Sequence, residues 1–530
     1  MRLSLLILLM ASLMTAGCVL TPGQVDRVRF ARDAELVLAR TQAGIVRGVE
    51  GDGVRAFLGV PYAAPPVGEN RWRAPGPVEP WSGARDATRL GRGCIQALSP
   101  KAVLGGGGGV VAGSEDCLYA NIYAPAGEPE RARPVMVFLH GGAFTLGSGG
   151  QYDASRLAQD QDRVVVTFNY RLGALGWLAL DDLAAPGDAG GDFGLMDMIA
   201  LLRWVQNDIA AFGGDPGQVT AFGESAGGWG LCHLLASPEA RGLFQSAIIQ
   251  SAGCFERSTQ AAVDQAAADG RRFAEALGCP DADCLRALPA WRIARVASPR
   301  RGINGPGSWG PVYGGPRTPM NIEAAYAAGQ IAHVPVIVGS NTDEARLFTV
   351  AVRSRERFER EMRWSYGDDA EAVLDRYPVV DGDYRASLAA SLTDALFACP
   401  AHRMRLALSP HVPVRGYEFG DADAPVRIPR WATGDMGAFH ASELAAVFGA
   451  SWALQDADGF SPEQAALSDR MRHAWAGDLA DWPVTQDGDA PVRIFSPEGD
   501  RLDDSFARRH NCAFWADVVL GGETPRLQAD

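Results

Sequence analysis

The chain has 530 residues, of which 47% are hydrophobic and 21% charged, so it is long enough to bury a sizeable core. Its formal net charge of −14 at pH 7 argues against binding to nucleic acid, whose phosphates repel an acidic protein. Motifs for cofactors and metals are also missing. There is no His-Glu-x-x-His, no paired Cys-x-x-Cys and no Rossmann fingerprint, and Gly-Lys-Ser/Thr does not follow the glycines at 105–109. We therefore expect neither a cofactor nor a metal.

The first 17 residues predict an export signal. A positive start at Met1-Arg2 precedes an apolar core at 3–14, which is too short to span a bilayer. Ala16-Gly17-Cys18 resembles the end of a bacterial lipobox, in which the cysteine is lipidated, although Thr15 stands where Leu is usual. Ordinary signal-peptidase cleavage nearby is the open alternative. The mature protein is thus expected in the periplasm, in the medium or as an outer-membrane lipoprotein.

A loop of small residues follows the apolar run at 135–139, which predicts a buried strand. The loop is His140-Gly141-Gly142-Ala143. Its small side chains let the backbone approach a ligand, and the oxyanion of a tetrahedral intermediate needs two or three N–H donors. We expect Gly142 and Ala143 to supply two of them. An ordinary glycine turn is the alternative interpretation.

The most informative motif is Gly223-Glu224-Ser225-Ala226-Gly227, a G-x-S-x-G pattern. In this pattern a serine sits on a sharp turn between a strand and a helix with its hydroxyl exposed. The flanking sequence agrees, because residues 219–222 are apolar, as in a buried strand, and 229–235 are compatible with a helix. The motif predicts Ser225 as a nucleophile and the N–H of Ala226 as a third oxyanion donor.

With these two motifs, the chain resembles the type-B carboxylesterases, the branch of the α/β-hydrolases that includes cholinesterases and bacterial para-nitrobenzyl esterases. The resemblance implies a central, mostly parallel sheet flanked by helices, with large insertions that form an active-site gorge. Because its motifs span most of the chain, we expect one domain at 35–530, preceded by a tether at 18–34. Further matching blocks are residues 57–63, 115–123, 169–173, 194–197 and 202–205.

The resemblance also supplies the partners of the nucleophile. The family's acid matches Glu344, which follows the apolar run at 334–338, and Asp343 is the local rival. The family's base matches His440. The implied reaction is acyl transfer, in which Ser225 attacks an ester carbonyl, His440 moves the proton and Glu344 orients His440.

The cysteines are typical of a protein from an oxidising compartment. We expect Cys232, which lies in the helix after the nucleophile, to be a buried thiol and Cys254 to be free. The other six are expected in three disulfides. Two are implied by the resemblance and the last brackets a tight loop: Cys94–Cys117, Cys399–Cys512 and Cys279–Cys284.

Residues near the first of these disulfides bear on the substrate. Cholinesterases bind choline through a tryptophan in the loop that this disulfide closes. Residues 95–116 contain no Trp, Tyr or Phe, so a quaternary ammonium substrate is not expected. Phe144, Phe255 and Trp309 are candidate walls of the acyl or alcohol pocket, with packing in the core as the alternative for each.

The sequence therefore predicts a hydrolase of small or medium carboxylic esters that works through an acyl-enzyme intermediate. A lipase, or an esterase that acts on a toxin or polyester, is the alternative within the same fold. A non-catalytic binding protein of this fold is a further alternative, and the presence of Ser225, Glu344 and His440 argues against it.

Overall fold

The computed structural model describes residues 34–98, 109–183, 190–255, 261–296, 309–485 and 491–518. The predicted signal peptide at 1–17, Cys18 and nearly all of the tether lie outside these residues, so these assignments stay predictions. Among the described residues, no helix is both long enough and apolar enough to cross a membrane.

Thirteen strands of the described residues form one sheet. They are β1 (Glu35–Arg40), β2 (Ile45–Gly51), β3 (Val54–Pro61), β4 (Ala84–Asp86), β5 (Tyr119–Pro125), β6 (Arg133–Leu139), β7 (Val164–Phe168), β8 (Gly214–Glu224), β9 (Ser246–Gln250), β10 (Val336–Asn341), β11 (Val414–Phe419), β12 (Val492–Phe495) and β13 (Arg501–Asp503).

The strand order across the sheet is β1-β2-β3-β5-β7-β6-β8-β9-β10-β11-β12-β13, and β4 pairs with β2. Neighbours from β7 to β12 are parallel. The strands from β1 to β7 along this order, and the pair β12-β13, are antiparallel. The mostly parallel sheet implied by the resemblance is therefore present, with antiparallel strands at both edges.

Helices cover both faces of this sheet. The α-helices are α1 (Ser155–Gln161), α2 (Gly173–Trp177), α3 (Phe193–Asp208), α4 (Ala226–Ala236), α5 (Val263–Leu277), α6 (Ala282–Ala287), α7 (Ala290–Arg295), α8 (Ile322–Ala327), α9 (Arg355–Tyr366), α10 (Ala370–Arg376), α11 (Tyr384–Thr393), α12 (Cys399–Leu408), α13 (Arg430–Thr433), α14 (Leu444–Phe448), α15 (Pro462–Trp475), α16 (Phe506–Arg509) and α17 (Cys512–Trp515), and a π-helix, Asp394–Ala398, joins α11 to α12.

Strand β6 shows why the central strands are apolar at every position. Val135, Val137 and Leu139 belong to the hydrophobic core on one face of the sheet. Met136 and Phe138 belong to the core on the other face. Because side chains alternate along a strand, a strand buried on both sides has a continuous apolar sequence, which is typical of parallel sheets covered by helices.

The predicted site residues follow the carboxyl ends of these parallel strands. His140 comes directly after β6, Ser225 directly after β8, and Glu344 three residues after β10. Strands β6 and β8 are neighbours, and β9 alone separates β8 from β10. In parallel α/β sheets, ligands bind at the carboxyl ends of the strands. The topology therefore brings segments that are far apart in sequence to one edge of the sheet.

Candidate active site

Ser225 lies on the turn between β8 and α4, and its backbone is strained. Its φ of 54° and ψ of −122° fall in a region that residues with a side chain rarely adopt. The N–H of Ser225 donates to Gln250 O at 2.9 Å, and its carbonyl accepts from Trp229 N at 2.9 Å. A side chain at Gly227 would collide with the carbonyl of Leu139, so glycine is needed where α4 approaches β6. Helix α4 begins directly after Ser225, three residues earlier than predicted.

The loop after β6 lies against Ser225. A side chain at Gly141 would come within 3.0 Å of Ser225 Cβ. The next residues turn sharply, with φ values of 113° at Gly142 and 53° at Ala143. Within the described chain, no acceptor takes the backbone N–H of Gly142, Ala143 or Ala226. Three donors thus remain available for a ligand beside the serine.

His140 supports this loop, and among the described residues no hydrogen bond joins its ring to Ser225 or to an acidic side chain. Its ring is buried and stacks on Tyr170, with the ring centroids 4.3 Å apart. Its Nδ1 is 2.8 Å from Gly141 O, and Tyr170 Oη donates to His140 O at 2.6 Å. Burial lowers the pKa of His140 to about 4, so the ring is neutral at physiological pH.

His440 and Glu344 are directly paired. His440 Nδ1 is 2.7 Å from Glu344 Oε2, and His440 N donates to Glu344 O at 3.1 Å. Glu344 is fully buried, and its other oxygen accepts from Asn341 N at 2.7 Å. The rival Asp343 instead accepts from Ala438 N at 3.1 Å. Of the two acidic residues considered from the sequence, Glu344 is therefore the one that contacts the histidine.

The second ring nitrogen of His440 faces Glu224. The two atoms, His440 Nε2 and Glu224 Oε1, are 3.1 Å apart without the alignment of a hydrogen bond. In the described part of the chain, no hydrogen bond joins Ser225 Oγ to His440. Burial lowers the pKa of His440, but the charges of Glu224 and Glu344 raise it more, to about 9.

Two further buried glutamates surround this pair, and sequence reasoning assigned neither a role. Burial raises the pKa of Glu224 well above its usual value, although the charge of His440 opposes this. Glu443 accepts from Gln250 Nε2 at 2.9 Å and Asn341 Nδ2 at 2.7 Å. Burial and the charge of Glu344 raise its pKa to about 7. In the sequence, Glu224 lies inside the serine motif and Glu443 lies three residues after His440.

The three aromatic residues considered as pocket walls all lie in the buried core. Phe144 packs against Trp177 with ring centroids 4.7 Å apart. Phe255 packs against Tyr326 at 5.4 Å, and Trp309 against another core ring. All three residues therefore match the alternative of packing in the core. Of the three, only Phe144 directly follows the loop that carries the N–H groups of Gly142 and Ala143.

The structure contains the three expected disulfides and one that was not expected. Cys232 and Cys254 form a disulfide across 6.4 Å between their Cα atoms, so the prediction of free thiols was wrong. Cys232 lies on α4, and Cys254 lies four residues after β9, which pairs with β8. Only this tertiary pairing brings the two together. The expected pairs are Cys94–Cys117, Cys279–Cys284 and Cys399–Cys512.

Comparisons with known proteins agree with this geometry. Residues 35–477 match the model of the Carboxylesterase family. The chain is 40% identical to a fumonisin B1 esterase from Sphingopyxis macrogoltabida over 69% of this chain and 67% of that protein. It is 38% identical to the para-nitrobenzyl esterase of Bacillus subtilis over 78% and 83% of the two chains.

A solved structure of a PNB esterase superimposes with a TM-score of 0.73 at 33% identity, covering 90% of this chain and 99% of that one. The expected α/β-hydrolase fold is thereby confirmed. A strained serine beside free N–H donors, in a chain that matches this family over most of its length, places the protein in the carboxylesterase family as a serine hydrolase of carboxylic esters.

Proposed function

We propose that Ser225, His440 and Glu344 form the catalytic triad, and that the enzyme hydrolyses small or medium esters through an acyl-enzyme. The observation that carries this proposal is the 2.7 Å contact between His440 Nδ1 and Glu344 Oε2 at the edge of the sheet where β8 ends in Ser225. In a triad of this kind, the acid holds the histidine tautomer and stabilises its charged form.

The reaction proceeds in two halves. Ser225 Oγ attacks the ester carbonyl while His440 Nε2 takes its proton and then passes the proton to the leaving alcohol. Water, activated by the same nitrogen, then releases the acid. The N–H groups of Gly142, Ala143 and Ala226 bind the oxyanion in both halves, and each such donor typically contributes about 10²- to 10³-fold to turnover.

Glu224 bears on the protonation state that this reaction requires. His440 must be neutral to accept the serine proton, and a charged Glu224 opposes this by stabilising the imidazolium. Burial of Glu224 favours its own protonated form. A neutral Glu224 lowers the pKa of His440 and frees Nε2 to accept from Ser225. Hydrogen bonds between catalytic groups are commonly long before substrate binds, which accounts for the open Ser225–His440 pair.

A second candidate is a toxin-degrading esterase, and a specific observation favours it. The relative at 40% identity is named for fumonisin B1. The sequence of the loop that the first disulfide closes, residues 95–116, also carries no aromatic side chain. A p-nitrophenyl ester series of increasing acyl length, together with fumonisin B1, distinguishes the two candidates by kcat/KM.

The four disulfides also support export. Disulfides persist in oxidising compartments and are rare in the cytosol. A periplasmic or secreted protein is consistent with them, and the anchoring at Cys18 is a separate part of the proposal that concerns residues outside the described chain.

The decisive experiment combines covalent labelling with substitution. An organophosphonate should label Ser225, and Ser225→Ala should abolish labelling and lower kcat by about 10⁶-fold, the loss expected when a triad nucleophile is removed. An unchanged unfolding temperature shows that the variant is folded. A folded Ser225→Ala enzyme with near wild-type turnover would disprove the assignment.

A further inference from the structure

His510 lies in a buried polar cluster that the reaction above does not use. Its Nδ1 is 2.5 Å from Asp394 Oδ1, and its Nε2 is 2.8 Å from Glu418 Oε1. Arg509 donates to Glu418 at 2.6 Å, and Tyr377 Oη donates to the second oxygen of Asp394 at 2.7 Å. A histidine with a carboxylate at each ring nitrogen donates to both only in its doubly protonated form, and Arg509 Nη1 also lies 3.0 Å from Nε2. His510 is thus a charged bridge between two acidic side chains.

On the Asp394 side, this bridge is connected to the segment that packs against His440. Asp394 begins the π-helix Asp394–Ala398, and Phe397 in that turn has its ring 4.9 Å from the ring of His440. Phe348 stacks on Phe397 at 6.1 Å and lies 5.1 Å from His440. Single π-helical turns inside helices frequently occur at functional sites. The π-helical turn that His510 contacts through Asp394 therefore packs against the imidazole of His440.

The same bridge is also connected to the segment that carries Glu344, through two sets of hydrogen bonds. Thr393, which precedes the π-helix, accepts a hydrogen bond at 3.0 Å from the N–H of Ala345, the neighbour of Glu344. On the other side, Glu418 lies on β11, which pairs with β10 just before Glu344. The N–H of Thr342, in the turn that carries Glu344, donates to the carbonyl after Glu418 at 3.0 Å.

We propose that His510 is a positioning residue for ester hydrolysis: by bridging Asp394 and Glu418, it holds the π-helical turn and the strand end between which His440 and Glu344 pair. The inference rests on the proposed roles of His440 and Glu344. The disulfide Cys399–Cys512 closes the same region from α12 to α17, so the bridge sits in a segment that is also covalently tied.

The charge of His510 gives the bridge a pH dependence. Burial lowers the pKa of His510, but the two carboxylates raise it to about 9, above the ordinary value of 6.5. A raised folded-state pKa means that the stabilisation is complete below about pH 6.5 and is lost as the pH rises through about 9. The groups that face the ring directly or through Arg509 are Asp394, Glu418, Arg509, Tyr377 and Asp503.

The acidic and phenolic neighbours of His510 have pKa shifts of their own. Burial raises the pKa of Asp394, whereas His510 and Arg509 lower that of Glu418 against the effect of burial. Burial and Asp394 raise the pKa of Tyr377 far above the working range. A fall of kcat above about pH 9 is therefore expected from His510, since deprotonation of His440 acts in the opposite direction.

The test compares His510→Gln with Asp503→Asn, which loosens Arg509 in the same segment but leaves both contacts of the His510 ring. We expect His510→Gln to lower kcat by about 10- to 100-fold with little change in KM, because a small displacement of a catalytic group costs that much. The alkaline fall of kcat should also disappear. In ¹⁵N-labelled enzyme, the low-field Nδ1–H resonance of His440 should shift. Asp503→Asn should leave all three measurements unchanged.

Organophosphonate labelling separates this inference from the proposed triad. If His510→Gln is still labelled at Ser225 and keeps wild-type kcat and pH profile, the positioning role is wrong and the triad stands. If the organophosphonate does not label Ser225 even in the wild-type enzyme, the proposed triad is wrong instead. If His510→Gln does not fold, Tyr377→Phe removes one donor to Asp394 and should lower kcat without changing KM, and an unchanged kcat there contradicts the inference.

Discussion

His440 and His510 occupy similar environments in two regions of the molecule, yet only one lies where a reaction can occur. Both are buried, both have a carboxylate at each ring nitrogen, and both have a pKa raised to about 9. The contacts of His510 with its two carboxylates are both hydrogen bonds, whereas the Nε2 of His440 lacks an aligned one. Beside His440 lie a strained serine and three unused N–H donors.

The difference teaches that a buried histidine between carboxylates does not by itself identify an active site. Saturated polar contacts hold structure together, because every buried donor and acceptor is satisfied. Backbone N–H groups without acceptors beside a strained serine instead leave donors that a ligand can use. On this criterion, the region around Ser225 is reactive and the region around His510 supports it.

Within this comparison of the two histidines, the largest expected effect tests the contact between His440 and its proposed acid. Glu344→Gln should lower kcat by about 10⁴-fold, because an amide cannot hold the same histidine tautomer. Asp343→Asn is the matched control and should change kcat little, since Asp343 binds Ala438 N and Arg346 instead. Steady-state kinetics of the two variants decide the matter, and the reverse ranking would transfer the role of acid to Asp343.

The next effect concerns the charge of the second carboxylate at His440. Glu224→Gln replaces a carboxyl group that lies 3.1 Å from Nε2 and stabilises the imidazolium whenever it is ionised, so the pKa of His440 should fall. The acidic limb of kcat/KM against pH, which reports the free enzyme's base, should move to lower pH. Asp421→Asn removes another buried carboxylate, hydrogen-bonded to Gln464, and should not move the limb. A limb that stays in place, or moves upward, in Glu224→Gln contradicts this account.

The unexpected disulfide should matter for stability more than for turnover. Cys232 and Cys254 are 22 residues apart in sequence, so replacing both by alanine should lower the free energy of unfolding by about 3 kcal/mol. Chemical denaturation measures this, and kcat is the control. Peptide mapping without reduction should recover Cys232 linked to Cys254, and alkylation of both thiols in native protein would show that the bond is absent.

The smallest effect on activity is expected at Cys18, far outside the two regions compared above. If Cys18 is lipidated, native protein should partition into detergent and Cys18→Ser should remain in the aqueous phase, because two or more acyl chains anchor stably. The turnover of soluble esters should be the same for both forms. Equal partitioning into water would leave signal-peptidase cleavage as the correct alternative.

Local patterns explain how much of the fold and site could be predicted. The proposed nucleophile and its proposed oxyanion donors lie in two short segments, 140–143 and 223–227, whose small residues are required by the turns themselves. Continuous apolar runs predicted the central strands because those strands are buried on both faces. The proposed acid and base needed the family resemblance, since a lone Glu or His in a sequence carries no such pattern.

Residues whose role depends on distant partners escaped prediction. Gln250 and Glu443 are 193 positions apart and meet only because β9 ends beside the histidine segment. Asp394 and His510 are 116 positions apart, and Cys232 reaches Cys254 only across the packed α4 and β9. The sequence by itself determined the strand–turn–helix chemistry at Ser225, because tight turns admit few residue types. Tertiary structure alone decided which acids, thiols and histidines meet, because burial and charge act between side chains that the sheet brings together.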